Sequence, residues 1–226
     1  MRSGLRKEIK YIIPKIEFLR LKKHLEALMR KDSHCSDGSY MVRSQYYDSL
    51  RDQDLRDNVD GNMEKRKIRL RTYTLDASKI KLEYKCKSNS EGTKYAIWIS
   101  REEAAMMESG KYGFLLDHEE ELAKILYVKM MQGAYRAKTI IQYNRMAYIH
   151  HVCDFRITFD TDLKSTLNPH GLFSKELSFV PLIEGDRGIM EVKYNDFLPS
   201  VFKGLLQEID ALQEASSKYS MSRRYV

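Results

Sequence analysis

Residues 65–71 read Lys-Arg-Lys-Ile-Arg-Leu-Arg, and residues 79–87 read Lys-Ile-Lys-Leu-Glu-Tyr-Lys-Cys-Lys. In an extended chain, alternate side chains point to opposite faces. Lys65, Lys67, Arg69 and Arg71 then share one face, with Ile68 and Leu70 on the other. By the same rule Lys79, Lys81, Glu83, Lys85 and Lys87 oppose Ile80, Leu82, Tyr84 and Cys86. If the two strands pair, eight basic side chains line one face beside a single acid. Like charges opposite one another in a ladder are destabilising, so such a face calls for a bound polyanion.

Other segments repeat the pattern. Arg6, Glu8 and Lys10 alternate with Lys7, Ile9 and Tyr11. Asp154, Arg156, Thr158, Asp160 and Asp162 alternate with Phe155, Ile157, Phe159 and Thr161. Glu191 and Lys193 alternate with Met190, Val192 and Tyr194, and Arg145 stands within another extended stretch. A half-solvated antiparallel strand explains any one of these, but it usually mixes both signs with Ser, Thr and Gln. Faces rich in Arg and Lys, with a carboxylate about once per strand, carry the components of a polyphosphate and divalent-metal site.

Period-2 alternation predicts strands over 5–13, 40–48, 65–74, 79–88, 94–99, 138–149, 153–163 and 187–195, with Asp76-Ala77-Ser78 as a hairpin turn. Ser100 with Glu103, and Asp117 with Glu120, have capping-box spacing; Gly110 and Gly133 then fall at C′ positions. A further helix is expected from Pro14 with a stripe of Ile16, Leu19, Leu25 and Leu28, and another from Leu198 towards Leu212. Strands dominate and helices are inserted among them, which is α+β and not alternating βαβ. No linker divides the chain, so residues 1–226 are expected to form one domain.

The chain has 226 residues, a net charge of +7, 42% hydrophobic and 31% charged residues: enough apolar content for a core, and a balance favouring anionic partners. No apolar run reaches the roughly 18 residues of a membrane span. Cys35, Cys86 and Cys153 are odd in number and scattered, which speaks against a disulfide framework or zinc site and for a reducing, cytoplasmic setting. His150-His151 is a weak metal signal, because neighbouring strand residues face opposite ways. Asp160-x-Asp162 resembles a glycosyltransferase D-x-D without the βαβ context; Asp160 is otherwise a second metal ligand or a partner of Arg156. Glu83 reads as a partner of Lys85 before a metal ligand. The basic residues alternate along strands, and no nucleic-acid-binding motif is visible.

Taken in order, Arg6-Lys7-Glu8-Ile9-Lys10-Tyr11, Tyr46-Tyr47-Asp48, Ile68-Arg69-Leu70-Arg71, Leu82-Glu83-Tyr84-Lys85, Tyr143-Asn144-Arg145, Arg156-Ile157-Thr158-Phe159-Asp160, Met190-Glu191-Val192-Lys193 and Ser217-Lys218-Tyr219 resemble the VTC (vacuolar transporter chaperone) catalytic domain. That domain is the polyphosphate polymerase branch of the CYTH-like triphosphate tunnel metalloenzymes. The resemblance implies an eight-stranded antiparallel barrel, a tunnel with charged residues inside and helices packed outside. It implies phosphate-binding roles for Lys10, Lys85, Lys94, Arg145, Arg156 and Lys193, catalytic roles for Arg69, Arg71 and Lys218, and a metal-binding role for Glu191 toward Mn²⁺ or Mg²⁺. Hydrolytic and cyclase relatives carry ExExK near the N-terminus; here Arg6-x-Glu8-x-Lys10 stands instead, which favours polymerase over hydrolase.

The implied activity transfers the γ-phosphate of ATP to a growing polyphosphate chain. The alternatives are a triphosphate or polyphosphate hydrolase of the same fold and a non-enzymatic polyanion binder. Expected partners are ATP and polyphosphate, not nucleic acid, and the family leaves room for a membrane-associated partner.

Overall fold

The structure, a computed structural model, describes residues 7–35, 38–88, 91–150, 155–195, 197–209, 211–213 and 217–224. Arg6, His151, Cys153 and Asp154, named above, lie outside the described residues. In chain order the elements are β1 Lys7–Pro14, α1 Lys15–Leu28, β2 Arg30–Lys31, β3 Tyr40–Asp48, α2 Gln53–Val59, β4 Glu64–Thr72, β5 Lys79–Ser88, β6 Glu91–Ser100 and α3 Arg101–Glu108. They continue with α4 Glu121–Gln132, β7 Arg136–His150, β8 Phe155–Thr166, β9 Val180–Pro181, β10 Arg187–Tyr194, α5 Ser200–Gln207, β11 Leu212–Gln213 and α6 Lys218–Ser222. The fold is α+β with extensive antiparallel sheet. It divides into two compact units; β3, β7, β8 and β9 each contribute residues to both.

The first unit holds residues 1–41, 143–163 and 181–216. Its strand order is β11-β1-β10-β8-β7. The register sets Lys10 opposite Glu191, Glu8 opposite Lys193, Glu191 opposite Thr158 and Lys193 opposite Arg156, so the charged positions share one face. The other face buries Ile157, Phe159, Met190 and Val192 against Leu21 and Leu25 of α1 and Phe202 of α5. Each such side chain contributes roughly 1.5–3 kcal/mol on burial.

The second unit holds residues 42–142, 164–180 and 217–226, with strand order β7-β3-β4-β5-β6. Tyr46 pairs with Arg69, Arg69 with Glu83, and Lys67 with Lys85, which in turn pairs with Lys94. On the reverse face Ile68, Leu70, Ile80, Leu82, Ile97 and Ile99 are packed against α3 (Ala104, Met107) and α4 (Ala123, Leu126, Met130). The alternation expected from sequence is therefore the alternation observed. In each unit the strand order is an open path among the described residues, and no closure into a barrel is seen in either.

Most strand bounds match the expected ones to within three residues; the helices differ more. Ser100 and Glu103 form a reciprocal capping box at α3, and Gly110 takes the left-handed conformation (φ +74°) just beyond it. Asp117 does not cap α4, which follows Glu120 without a side-chain cap. Gly133 ends α4 at φ −86°, and the left-handed residue is Ala134. Pro14 closes β1, so α1 starts at Lys15 and its phase rotates: Leu21 and Leu25 are buried, while Ile16, Leu19 and Leu28 are exposed. The last expected helix is shorter, α5 ending at Gln207, and α2 and α6 were not anticipated as helices.

Candidate anion-binding site

Glu83 organises the charged face of the second unit. It is buried, and its carboxylate accepts from Arg69 Nε at 2.6 Å, pairs with Lys94 Nζ, and lies 3.7 Å from Arg71. Burial alone would raise its pKa; the Arg69 and Arg71 charges and the Lys94 bond outweigh that and hold it well below the usual carboxylate range. Glu83 is thus a pairing residue, its partners being Arg69, Arg71 and Lys94. Beside it, the Tyr46 hydroxyl accepts from Arg69 at 2.8 Å, and the Arg69 guanidinium lies 5.6 Å from the Tyr46 ring centre. Burial would raise this phenol too, yet Arg69, Arg71 and Lys218 keep it below its ordinary value. Lys218 is the sequence neighbour of Tyr219, whose ring stacks on that of Tyr46.

Several local bonds fix α6 and hence Lys218. Tyr219 stacks on Tyr46, with ring centres 5.3 Å apart, and donates its hydroxyl to Asp48 at 2.7 Å. Asp48 also accepts from the backbone N–H groups of Ser49, Asp54 and Leu55, tying the start of α2. Ser217 caps α6 through the Ser220 N–H, and Asn58 donates to both serine hydroxyls.

In the first unit Arg145 makes a two-pronged bond to Asp160, 2.7 Å on each arm, and lies 3.8 Å from Glu191. Lys193 reaches Glu191 at 3.2 Å and Glu8 at 3.7 Å, and Lys10 pairs with Glu8 at 2.9 Å. Arg156 pairs with Asp32 at 3.0 Å, not with Asp160. Burial would raise Asp32, but bonds from His34 and the Arg156 charge pull its pKa down. Tyr40, whose field includes Arg145 and Arg156, is pushed up to about 12 by burial.

The expected residues therefore fall into two sets: Arg69, Arg71, Lys85, Lys94 and Lys218 in one unit, and Lys10, Arg145, Arg156, Glu191 and Lys193 in the other. Sequence reasoning missed Asp32 as the holder of Arg156, and Tyr46, Asp48 and Tyr219 as the frame around Arg69 and Lys218. The latter three stood in the quoted motifs, where only Lys218 received a role. His150 packs edge-on against Phe202, with ring centres 5.8 Å apart. Among the described residues, no group of three or more His, Cys, Asp or Glu side chains could hold a metal ion. Glu191 fits a divalent ion only where one carboxylate meets it and substrate phosphates supply further oxygens, a mode suited to Mg²⁺.

Each unit thus gives one strand face to Arg, Lys and carboxylates and the other to its apolar core. The chain belongs to the VTC domain family, whose model matches residues 5–226. Among solved structures, it is similar to a Bacillus halodurans protein provisionally assigned as an adenylate cyclase: 12% identity over 95% of this chain and 93% of that one, TM-score 0.54. A Vibrio parahaemolyticus protein with the same provisional assignment gives 13% identity, 97% and 98% coverage, and a TM-score of 0.52. At such identities the likeness concerns fold alone. No curated protein matches the chain. Among the described residues, no helix is long and apolar enough to cross a membrane.

Proposed function

We propose that this chain is a polyphosphate polymerase-like phosphotransferase that moves the γ-phosphate of ATP onto a growing polyphosphate chain. The supporting observation is the convergence of Arg69, Arg71 and Lys94 on one buried carboxylate beside Tyr46, with α6 carrying Lys218 anchored there through the Tyr219–Tyr46 stack. An oxygen of the chain's terminal phosphate bonds to the γ-phosphorus as the bridging bond to the β-phosphate breaks, and ADP leaves. Such transfer needs positioning and stabilisation of spreading negative charge more than covalent help. Arg69 and Arg71 fork onto successive phosphates; Lys218 steadies the transferring group or the leaving oxygen. Lys10, Lys85, Arg145, Arg156 and Lys193 hold further phosphate oxygens.

Mn²⁺ or Mg²⁺, when bound, supplies neutralising charge on phosphate oxygens, and Glu191 would hold it. The proposal includes closure of the strands into the eight-stranded barrel, residues 1–226 acting as one domain, and a cytoplasmic setting.

The test is purified protein with ATP and Mn²⁺. ADP with an acid-labile polymer supports the polymerase; free phosphate without polymer makes water the acceptor and the protein a hydrolase. Unchanged ATP with tightly bound polyphosphate makes it a binder. Glu191→Gln should abolish metal-dependent turnover, and Lys218→Ala should lower turnover more than binding. Full activity in both would show the roles to be misplaced.

A further inference from the structure

The chain's only tryptophan stands on the charged face of the second unit. Trp98 is 52% exposed, while Ile97 and Ile99 on either side of it are buried in the core. Alternation therefore puts the indole on the same side of β6 as Lys94. The register sets it opposite Lys81, and Lys81 opposite Arg71, so one row across three strands reads Arg71, Lys81, Trp98. With neighbouring strands about 4.8 Å apart, the backbone of Trp98 lies about 10 Å from that of Arg71. The next row on this face, about 6.7 Å along the strands, holds Arg69 and Glu83.

The indole is held in place on two sides. Lys81 Nζ lies 5.2 Å from the centre of its ring. His118 Nδ1 accepts from the Glu120 N–H, which leaves Nε2–H to donate to the Trp98 carbonyl oxygen at 3.3 Å. Single exposed apolar side chains are ordinary on protein surfaces. This one is a flat π-face set in a row of cations, on the side of the sheet given to charge. A chain of phosphates alone makes no use of it. A phosphate chain that ends in a heteroaromatic ring uses both parts of the row.

We infer that Trp98 stacks the base of a nucleoside triphosphate whose phosphates lie on Lys81, Arg71 and Arg69. This rests on the reading of ATP as the phosphoryl donor, and it adds how the donor is told apart from a bare phosphate chain. It also sets the donor's direction, with the base at the β6 edge and the terminal phosphate toward Arg69. Stacking asks only for a π-face, so the larger purines bind ahead of pyrimidines, and adenine is not separated from guanine.

A sole tryptophan makes the test direct. ATP and tripolyphosphate are titrated into the wild type with indole fluorescence as the readout. Calorimetry then compares both ligands on the wild type, Trp98→Ala and Trp98→Tyr, with a thermal melt showing that each variant is folded. ATP should quench the indole, and tripolyphosphate should not. Trp98→Ala should lose about tenfold in ATP affinity and keep tripolyphosphate affinity within about twofold. Trp98→Tyr keeps a ring and should recover most of the loss. Equal quenching by the two ligands, unchanged ATP affinity in Trp98→Ala, or an equal loss for both overturns the inference and leaves the phosphotransferase reading standing. Oligoadenylate bound through Trp98 more tightly than ATP also overturns it, since the row would then be a nucleic-acid surface. A wild type that binds neither ATP nor tripolyphosphate overturns the proposed function and this inference together.

Discussion

Glu83→Gln tests the electrostatic argument most directly. The carboxylate sits among three cations, with Arg69 at 2.6 Å, Lys94 in direct contact and Arg71 at 3.7 Å. A charge-assisted contact contributes about 1.5–3 kcal/mol, and breaking a fully buried ion pair costs about 3–5 kcal/mol. The Lys94 side chain is 46% exposed, so solvent screens part of its share. The net expected loss is about 2–4 kcal/mol, or roughly 5–15 °C in melting temperature for a chain of this size. Because the cations are left without their acid, tripolyphosphate should raise the variant's melting temperature more than the wild type's. The pH dependence has a definite sign. A carboxylate held below its ordinary value of 4.5 stabilises the fold above that pH, and the contribution is lost as pH falls toward its depressed value. Wild-type stability should therefore drop below about pH 4.5 more steeply than that of Glu83→Gln, both followed by calorimetry. A variant melting within about two degrees of the wild type at neutral pH, or one that tripolyphosphate rescues no better, would refute the claim that Glu83 holds this cation cluster together.

Asp54 should show the opposite sign. Burial, then the neighbouring Asp48 charge, raise its pKa from 3.8 to about 6, so its ionisation costs stability as pH rises through that window. Asp54→Asn should stabilise the protein at pH 7 by up to about 3 kcal/mol and flatten the loss between about pH 4 and 6; lower stability at pH 7 would show that the Tyr135 hydroxyl needs the carboxylate. Tyr219→Phe keeps the stack on Tyr46 and deletes the 2.7 Å bond to Asp48. It should cost about 1–3 kcal/mol and reduce turnover by loosening α6 beneath Lys218; turnover equal to the wild type would separate Tyr219 from Lys218 placement. Asp32→Asn should weaken polyphosphate binding through Arg156, and Arg156→Ala should add nothing further in the double variant; additive losses would mean that Asp32 does not act through Arg156.

What the sequence disclosed and what it concealed have a common physical origin. The period of an extended chain is two, so every strand announces which residues share a face, whatever its partner. Ile68, Leu70, Ile157 and Val192 were legible as the packed side for that reason, and Arg69, Arg71, Arg145 and Glu191 as the charged side. Pairing between strands depends on register, which the sequence states only through turns and long-range packing. Glu83 was expected beside Lys85, two residues along its own strand, whereas its observed partners come across the ladder: Arg69 directly opposite and Lys94 from β6. Asp160 was read as a second metal ligand or a partner of Arg156 on its own strand; it bonds Arg145 of the neighbouring β7, and Arg156 turns to Asp32. The two pairings read from sequence, Glu83 with Lys85 and Asp160 with Arg156, chose an in-strand neighbour where the structure uses a cross-strand one. Opposite residues on paired strands stand about 4.5–5.5 Å apart, closer than alternate residues of one strand at about 6.7 Å. Arg69 and Arg145 thus meet their carboxylates across the ladder, whereas Lys10 and Lys193 meet Glu8 and Glu191 most closely along it. Arg69 and Arg145, each held by a cross-strand acid, must exchange part of that bond for substrate.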